Sequence, residues 1–170
     1  MCALMRPADG VIALSTQRSS AADVLTDIML VVFRVNARLL EKGDQLVAPL
    51  QLTSARWQVI GAIALADKPL TAPQIASAMG ITRQGAQKQL NLAEKDELIE
   101  THANPRHERS PLYGLTKSGK RVYDAAMALQ AAWAKALVHG SALADLKTAL
   151  ELLNTLDTRL VSIPLPSPGR

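Results

Sequence analysis

The chain has 170 residues, enough for one domain or for one core with a small appended module. Apolar residues make up 48% but aromatics only 3%, so the apolar mass is Ala and Leu, the vocabulary of helices rather than of strands. A single cysteine, Cys2, excludes an internal disulfide framework and any multi-thiolate metal site, and a net charge of +4 matters more by its placement than by its size.

Residues 1–19 show no sustained periodicity and are expected to form a mobile tail. No apolar run approaches the roughly 18 residues of a membrane span. Val11-Ile-Ala-Leu14 is too short for a signal-peptide core and is closed by Arg18, so a cytoplasmic location with no membrane partner is expected. Ser20-Ala-Ala-Asp23 has the spacing of a capping box, with Asp in place of the commoner Glu. Behind it Val24, Ile28, Val31, Val32, Val35 and Leu39 recur at three and four residues, which predicts a long amphipathic helix to about Glu41. Lys42 to Gln51, with Gly43 and Pro49, reads as a loop. Thr53 caps a second helix that turns Trp57, Ile60 and Ala64 inward and ends before Pro69.

Thr71-Ala-Pro-Gln74 is another capping box, and it opens a third helix with Ile75, Ala76 and Met79 buried. Gly80 permits the left-handed backbone of a sharp inter-helix turn. Thr82 caps a fourth helix that runs to about Asp96. Two strands follow, near Leu98–His102 and Leu112–Leu115, with Asn104-Pro105 and Ser110-Pro111 punctuating the turn between them. Thr116 caps an Ala-rich fifth helix that is stopped at His139-Gly140. Ser141 caps a sixth, with Leu146, Leu150, Leu153 and Leu160 on one stripe and Leu156 widening it. The last seven residues hold three prolines and are expected to be disordered.

Helix, turn, helix and basic hairpin in that order make a winged helix-turn-helix, a device that places a helix in the DNA major groove. Charge placement agrees. Residues 81–121 contain Arg83, Lys88, Lys95, Arg106, Arg109, Lys117, Lys120 and Arg121 against Glu94, Asp96, Glu97, Glu100 and Glu108, eight minus five, or +3 of the +4. On a helical wheel Arg83, Gln84, Gln87, Lys88, Asn91, Glu94 and Lys95 share one sector of about 140°, opposite Ala86, Leu90 and Ala93. Guanidinium and carboxamide groups read base edges, Arg at guanine and Gln or Asn at adenine. Arg83, Gln84 and Gln87, on the first turns, are placed for bases, with Asn91 on the same face and Thr82 and Lys88 for phosphates. At the hairpin tip Arg106, His107 and Arg109 suit a minor groove or its phosphates, and Glu108 among them is placed to tether one Arg to the body.

These residues resemble the MarR family, the multiple-antibiotic-resistance type of bacterial regulator. The resemblance covers roughly residues 20 to 163. The family's wing has the pattern Asp-x-Arg followed by a closing Leu-Thr, standing here as Asn104-Pro-Arg106 and Leu115-Thr116. Leu98-Ile99, after Leu90-Asn-Leu-Ala-Glu-Lys-Asp-Glu, is similar to the run that ends the family's recognition helix. Asn104 replaces the usual Asp, removing a charge that can anchor the wing arginine. Glu97 replaces the usual Gly, which predicts a differently shaped helix end. The resemblance implies a mainly α fold, a winged helix-turn-helix with long N- and C-terminal dimerisation helices. Residues 1–19 and 164–170 are then tails, 52–116 the DNA-binding lobe, and 20–51 with 117–163 the dimerisation region. Its partners are double-stranded DNA, a second copy of the chain and a small aromatic or phenolic ligand, and the implied role is a ligand-relieved repressor on a palindromic operator. The surplus apolar faces of the first and sixth helices point to the same dimer, through Leu146, Leu150, Leu153, Leu156 and Leu160. The implied effector pocket, between the first, second and fifth helices, would be lined by Arg34, Arg38, Trp57, Ile60 and Tyr123.

Catalysis is the first rival class. His102, His107 and His139 are scattered, and no His-x-x-x-His, phosphate loop or nucleophile elbow is present, so no enzyme activity, cofactor or metal is expected. Thiol-based sensing would need a cysteine near the start of the first helix, and Cys2 lies some 18 residues before it. A winged-helix protein-interaction module without sequence-specific DNA binding is the second rival; the exposed Arg83, Gln84 and Gln87 sector argues against it.

Overall fold

Side-chain oxygens start the first four helices. In the computed structural model, residues 20–165 are described; the tail expected over 1–19, with Cys2, and the end of the one expected over 164–170 lie outside the described residues. Ser20 opens α1 (Ala21–Val47), its Oγ accepting from the Asp23 amide at 3.1 Å and donating to the Asp23 carboxylate at 2.7 Å. Thr53 opens α2 (Ser54–Ala66) by accepting from the Arg56 amide. Ahead of α3 (Ala72–Met79), Gln74 Oε1 accepts from the Thr71 amide at 2.9 Å. Thr82 opens α4 (Arg83–Lys95) by accepting from the Gly85 amide at 3.0 Å. Each bond satisfies an amide that a helix start leaves without an intrahelical partner.

Three expectations are corrected. The first helix does not stop at Glu41: α1 continues to Val47, and Ala48–Leu50 add a single 3-10 turn that ends at Gln51 in the left-handed region. Tertiary contact overrides the loop signal of Gly43 and Pro49. Ser54 donates from its amide to Asp44 and from its hydroxyl to the Leu40 carbonyl at 2.8 Å, holding the last turns of α1 against the start of α2. Ser141 is not the cap of α6 (Leu143–Ser162); Ala142 occupies that position without a side-chain bond. A third strand was also not anticipated, because two residues show no alternation. This strand, β1 (Leu70–Thr71), pairs antiparallel with β3 (Leu112–Leu115), which pairs on its other side with β2 (Ile99–His102). The order is β1-β3-β2, with Tyr113 opposite both Leu70 and Thr101.

Two compact units divide within α5 (Lys117–Leu137), one reaching Ala126 and the other starting at Met127. In the first, α1 and the opening turns of α5 join the helices and sheet of residues 52–116. Its core is built from Val47, Val59, Ile60, Ile63, Ile75, Leu90, Ile99 and Tyr113, with Ala86 and Ala93 setting α4 close against it. The outer stripe of α1 is not covered: Phe33 is 72% exposed, and Val24, Val31, Val32, Val35 and Leu39 are exposed too. Taken by itself, α6 has no buried residue, with Leu146, Leu150, Leu153 and Leu160 exposed and Leu156 half-buried. Among the described residues no helix is long and apolar enough to cross a membrane.

Backbone geometry is demanding at two places beside α4. Gly80 turns α3 into α4 at φ +62°, where a side chain would be strained. Glu97 leaves α4 at φ +56°. Glu97 takes there the left-handed backbone that glycine takes without strain. Glu97→Gly should therefore stabilise the protein by about 0.5–1 kcal/mol, the strain relieved less the entropy that glycine adds to the unfolded chain. The check is a thermal midpoint, measured at fixed protein concentration, that rises by a few degrees.

Candidate nucleic-acid interface

One side of α4 is committed to the core and the other is left free. Ala86, Leu90 and Ala93 are buried, while Arg83, Gln84, Lys88, Asn91, Glu94 and Lys95 are exposed and Gln87 is half-buried. The helix is pinned at several points. Glu94 accepts from the Thr101 hydroxyl at 2.6 Å, tying its last turn to β2. Arg56 of α2 forms an ion pair with Asp96, the residue that ends α4. Gln87 Nε2 donates to Asn91 Oδ1 at 2.8 Å and to the Tyr113 hydroxyl at 3.0 Å, tying the middle of α4 to β3. Neither Arg56 nor Tyr113 was singled out from sequence. A signal existed for Tyr113, since a tyrosine alternating into a buried sheet needs a partner for its hydroxyl.

The loop from β2 to β3 is closed by Asn104. Its Oδ1 accepts from the Arg106 amide at 3.1 Å, and its Nδ2 donates to the Ser110 carbonyl at 2.7 Å. The His107 amide donates to the Asn104 carbonyl at 3.1 Å, and the Ser110 amide to the His107 carbonyl at 2.9 Å. Arg106, His107 and Arg109 stand exposed on this closed loop. The expected tether from Glu108 is not formed: among the described residues no ion pair engages Glu108, Arg83, Lys88, Arg106 or Arg109. A cleft of about 310 Å³ brings Arg83, Gln84 and Gln87 of α4 together with Arg109, Ser110 and Pro111 of the loop and with Pro73 at the start of α3. Thr82 uses an oxygen lone pair for its cap and keeps its O–H to donate.

The five residues expected around an effector stand on α1 (Arg34, Arg38), α2 (Trp57, Ile60) and α5 (Tyr123). Tyr123 borders a cavity of about 410 Å³ with Ile63, Lys68, His102, Leu115 and Lys120. Ile60 is wholly buried, and Trp57 packs half-buried against the same core. On α1, Arg34 is half-buried and Arg38 exposed.

A family model described as the MarR family matches residues 50–110, which span α2, α3, α4 and most of the β2–β3 hairpin. Uncharacterized proteins of Mycobacterium tuberculosis and Mycobacterium bovis are 35% identical to the chain over 137 residues, 81% of it and 90% of their own length. The chain belongs to the MarR family. Members of that family are transcription regulators rather than enzymes. The fold is also that of solved MarR-type structures. BldR of Sulfolobus solfataricus superposes with a TM-score of 0.75 at 14% identity, covering 83% of this chain and 99% of its own. A mutant MarR of E. coli, solved with operator DNA, gives 0.68 at 18% identity, covering 81% and 99%. Staphylococcus aureus MarR, solved with salicylate and kanamycin, gives 0.71 at 15%, covering 83% and 95%.

The loop closure has a consequence that can be measured. A carboxylate at position 104 could still accept from the Arg106 amide but could not donate to Ser110. Asn104→Asp should leave the Arg106 amide protected from hydrogen exchange while residues 107–110 exchange faster; Asn104→Ala should release both. Unchanged exchange in both variants would show that the loop is held by something else.

Proposed function

We propose that this chain is a repressor that binds an inverted-repeat operator as a homodimer, with α4 in the major groove and the β2–β3 loop at the adjacent minor groove. In this reading residues 52–116 are the DNA-binding lobe, and residues 20–51 with 117–163 form the dimer. The observation that carries it is the exposed set Arg83, Gln84, Lys88, Asn91, Arg106 and Arg109, whose cations enter no ion pair among the described residues. Cations held free beside carboxamides are the chemistry of phosphate grip and base reading together. The E. coli relative solved with operator DNA supports the partner. The uncovered apolar stripes of α1 and α6 support self-association.

A two-fold dimer requires half-sites about one helical turn apart, roughly 10 base pairs. Selection from random duplexes should therefore return an inverted repeat at that spacing. Arg83→Ala or Gln84→Ala should relax preference at single positions. Arg106→Ala or Arg109→Ala should weaken all sequences alike and reduce the salt slope by about one each. Retention of DNA without any enriched sequence, or no retention at all, favours the protein-interaction alternative. Light scattering at micromolar concentration should give twice the chain mass, and Leu150→Glu with Leu153→Glu should halve it; a wild-type monomer sinks the dimer.

Release by a small aromatic acid completes the proposal. Family relatives support it, one solved with p-coumaroyl-CoA and another with salicylate. Arg34 or Arg38 would hold the carboxylate, Trp57 and Tyr123 would supply apolar area, and Ile60, wholly buried, would back the wall rather than touch the ligand. Tenfold weaker DNA binding needs about 1.4 kcal/mol of differential ligand affinity between two arrangements of the dimer. A panel of phenolic and aromatic acids should quench tryptophan fluorescence and release the operator. If an active acid releases wild type and the Arg34→Ala and Arg38→Ala proteins at equal concentrations, the arginine clamp is wrong.

A further inference from the structure

The hydroxyl of Tyr113 meets Gln87, a half-buried residue on the face of α4 that carries the exposed polar side chains. Tyr113 lies on the central strand of the sheet, 5% exposed, and its hydroxyl accepts from Gln87 Nε2 at 3.0 Å. The second N–H of the same amide goes to Asn91 Oδ1 at 2.8 Å, one turn along the helix. A carboxamide nitrogen has two hydrogens, and both are used. What Gln87 offers outward is its Oε1 alone, an acceptor. Asn91 keeps its Nδ2 to donate and one lone pair of its Oδ1 to accept.

This matters because a free glutamine pairs with adenine by two bonds, accepting from N6 and donating to N7. Gln87 as held here can do only the first half. An isolated acceptor meets the exposed amino group of adenine or of cytosine equally well, and meets only acceptors on guanine and thymine. We propose that Tyr113 is a specificity-positioning residue of the DNA interface: its hydroxyl fixes the hydrogen-bond polarity of α4. Gln87 then reads an amino-bearing base, adenine or cytosine. The inference rests on the DNA-binding reading and deepens it at one base position per half-site. Tyr113 never touches DNA; it acts from the sheet through Gln87.

The experiment is selection from random duplexes by full-length wild type, Tyr113→Phe, Gln87→Ala and the double variant, with thermal midpoints recorded for each. Phenylalanine keeps the buried ring and removes the hydroxyl that accepts from Gln87. Wild type should tolerate adenine and cytosine at the Gln87 position and exclude guanine and thymine. Tyr113→Phe frees one N–H of Gln87 and should sharpen that position to adenine by about fivefold or more, leaving the other positions unchanged. In the double variant the effect of Tyr113→Phe should vanish, giving the same base frequencies as Gln87→Ala. A purely structural tyrosine would lower the midpoint and weaken every sequence alike, and that outcome overturns the proposal. So do identical base frequencies in wild type and Tyr113→Phe, a wild-type preference for guanine or thymine at that position, or the same shift with Gln87 absent. If wild type enriches no sequence, the DNA-binding reading fails first and this inference with it; a clear consensus indifferent to Tyr113 sinks the inference alone.

Discussion

Thr116 holds the end of α4, the base of the hairpin and the start of α5 in one junction. Its amide donates to the Leu98 carbonyl at 3.1 Å, its hydroxyl donates to the Glu97 carbonyl at 2.7 Å, and the same oxygen accepts from the Gly119 amide at 2.9 Å. The Leu98 amide meanwhile returns to the Ala93 carbonyl at 2.9 Å. Those bonds explain why Glu97 tolerates a left-handed backbone: the chain must reverse there to bring Leu98 under α5. They also explain Gly119, where any Cβ would overlap the Leu98 carbonyl. Three elements thus share one fixed point, and the direction of α4 is set relative to all of them.

A second restraint comes from α2. Ser54 and Arg56 lie two residues apart in its first turn, and they reach in different directions, Ser54 to the end of α1 and Arg56 to the end of α4. The helix works as a strut between them. Exposed ion pairs are weak in general, but the Arg56 side chain is only 16% exposed, which reduces screening of its bond to Asp96. With the junction at Leu98, the free face of α4 is presented from a helix restrained along its length.

Much of this was legible in the residues because its signals are local. A helix start needs an oxygen at one position, and Ser20, Thr53, Thr71 and Thr82 supply it. The face of α4 follows from a period of 3.6, and the hairpin from Asn-Pro and Ser-Pro at its turn. What escaped depends on distance along the chain. The end of α1 is decided by Ser54, fourteen residues beyond the Leu40 carbonyl that it engages. The bond between Gln87 and Tyr113 spans 26 positions, and although a sheet tyrosine needs a partner for its hydroxyl, nothing local names Gln87. Two-residue β1 exists because β3 offers it an edge. At Glu97, where glycine is usual, the junction imposes a left-handed backbone that strains a residue with a side chain.

Asn104 closes the hairpin loop with two uncharged hydrogen bonds, where the family pattern has an acid. An ionic clasp would loosen as counterions accumulate, so a wing built that way changes form in the same titration that strips it from a polyanion. Neutral bonds are nearly blind to ionic strength. In this chain the closure of the loop should therefore not respond to ionic strength. On the proposed DNA-binding reading, the slope of affinity against salt should then count displaced ions alone.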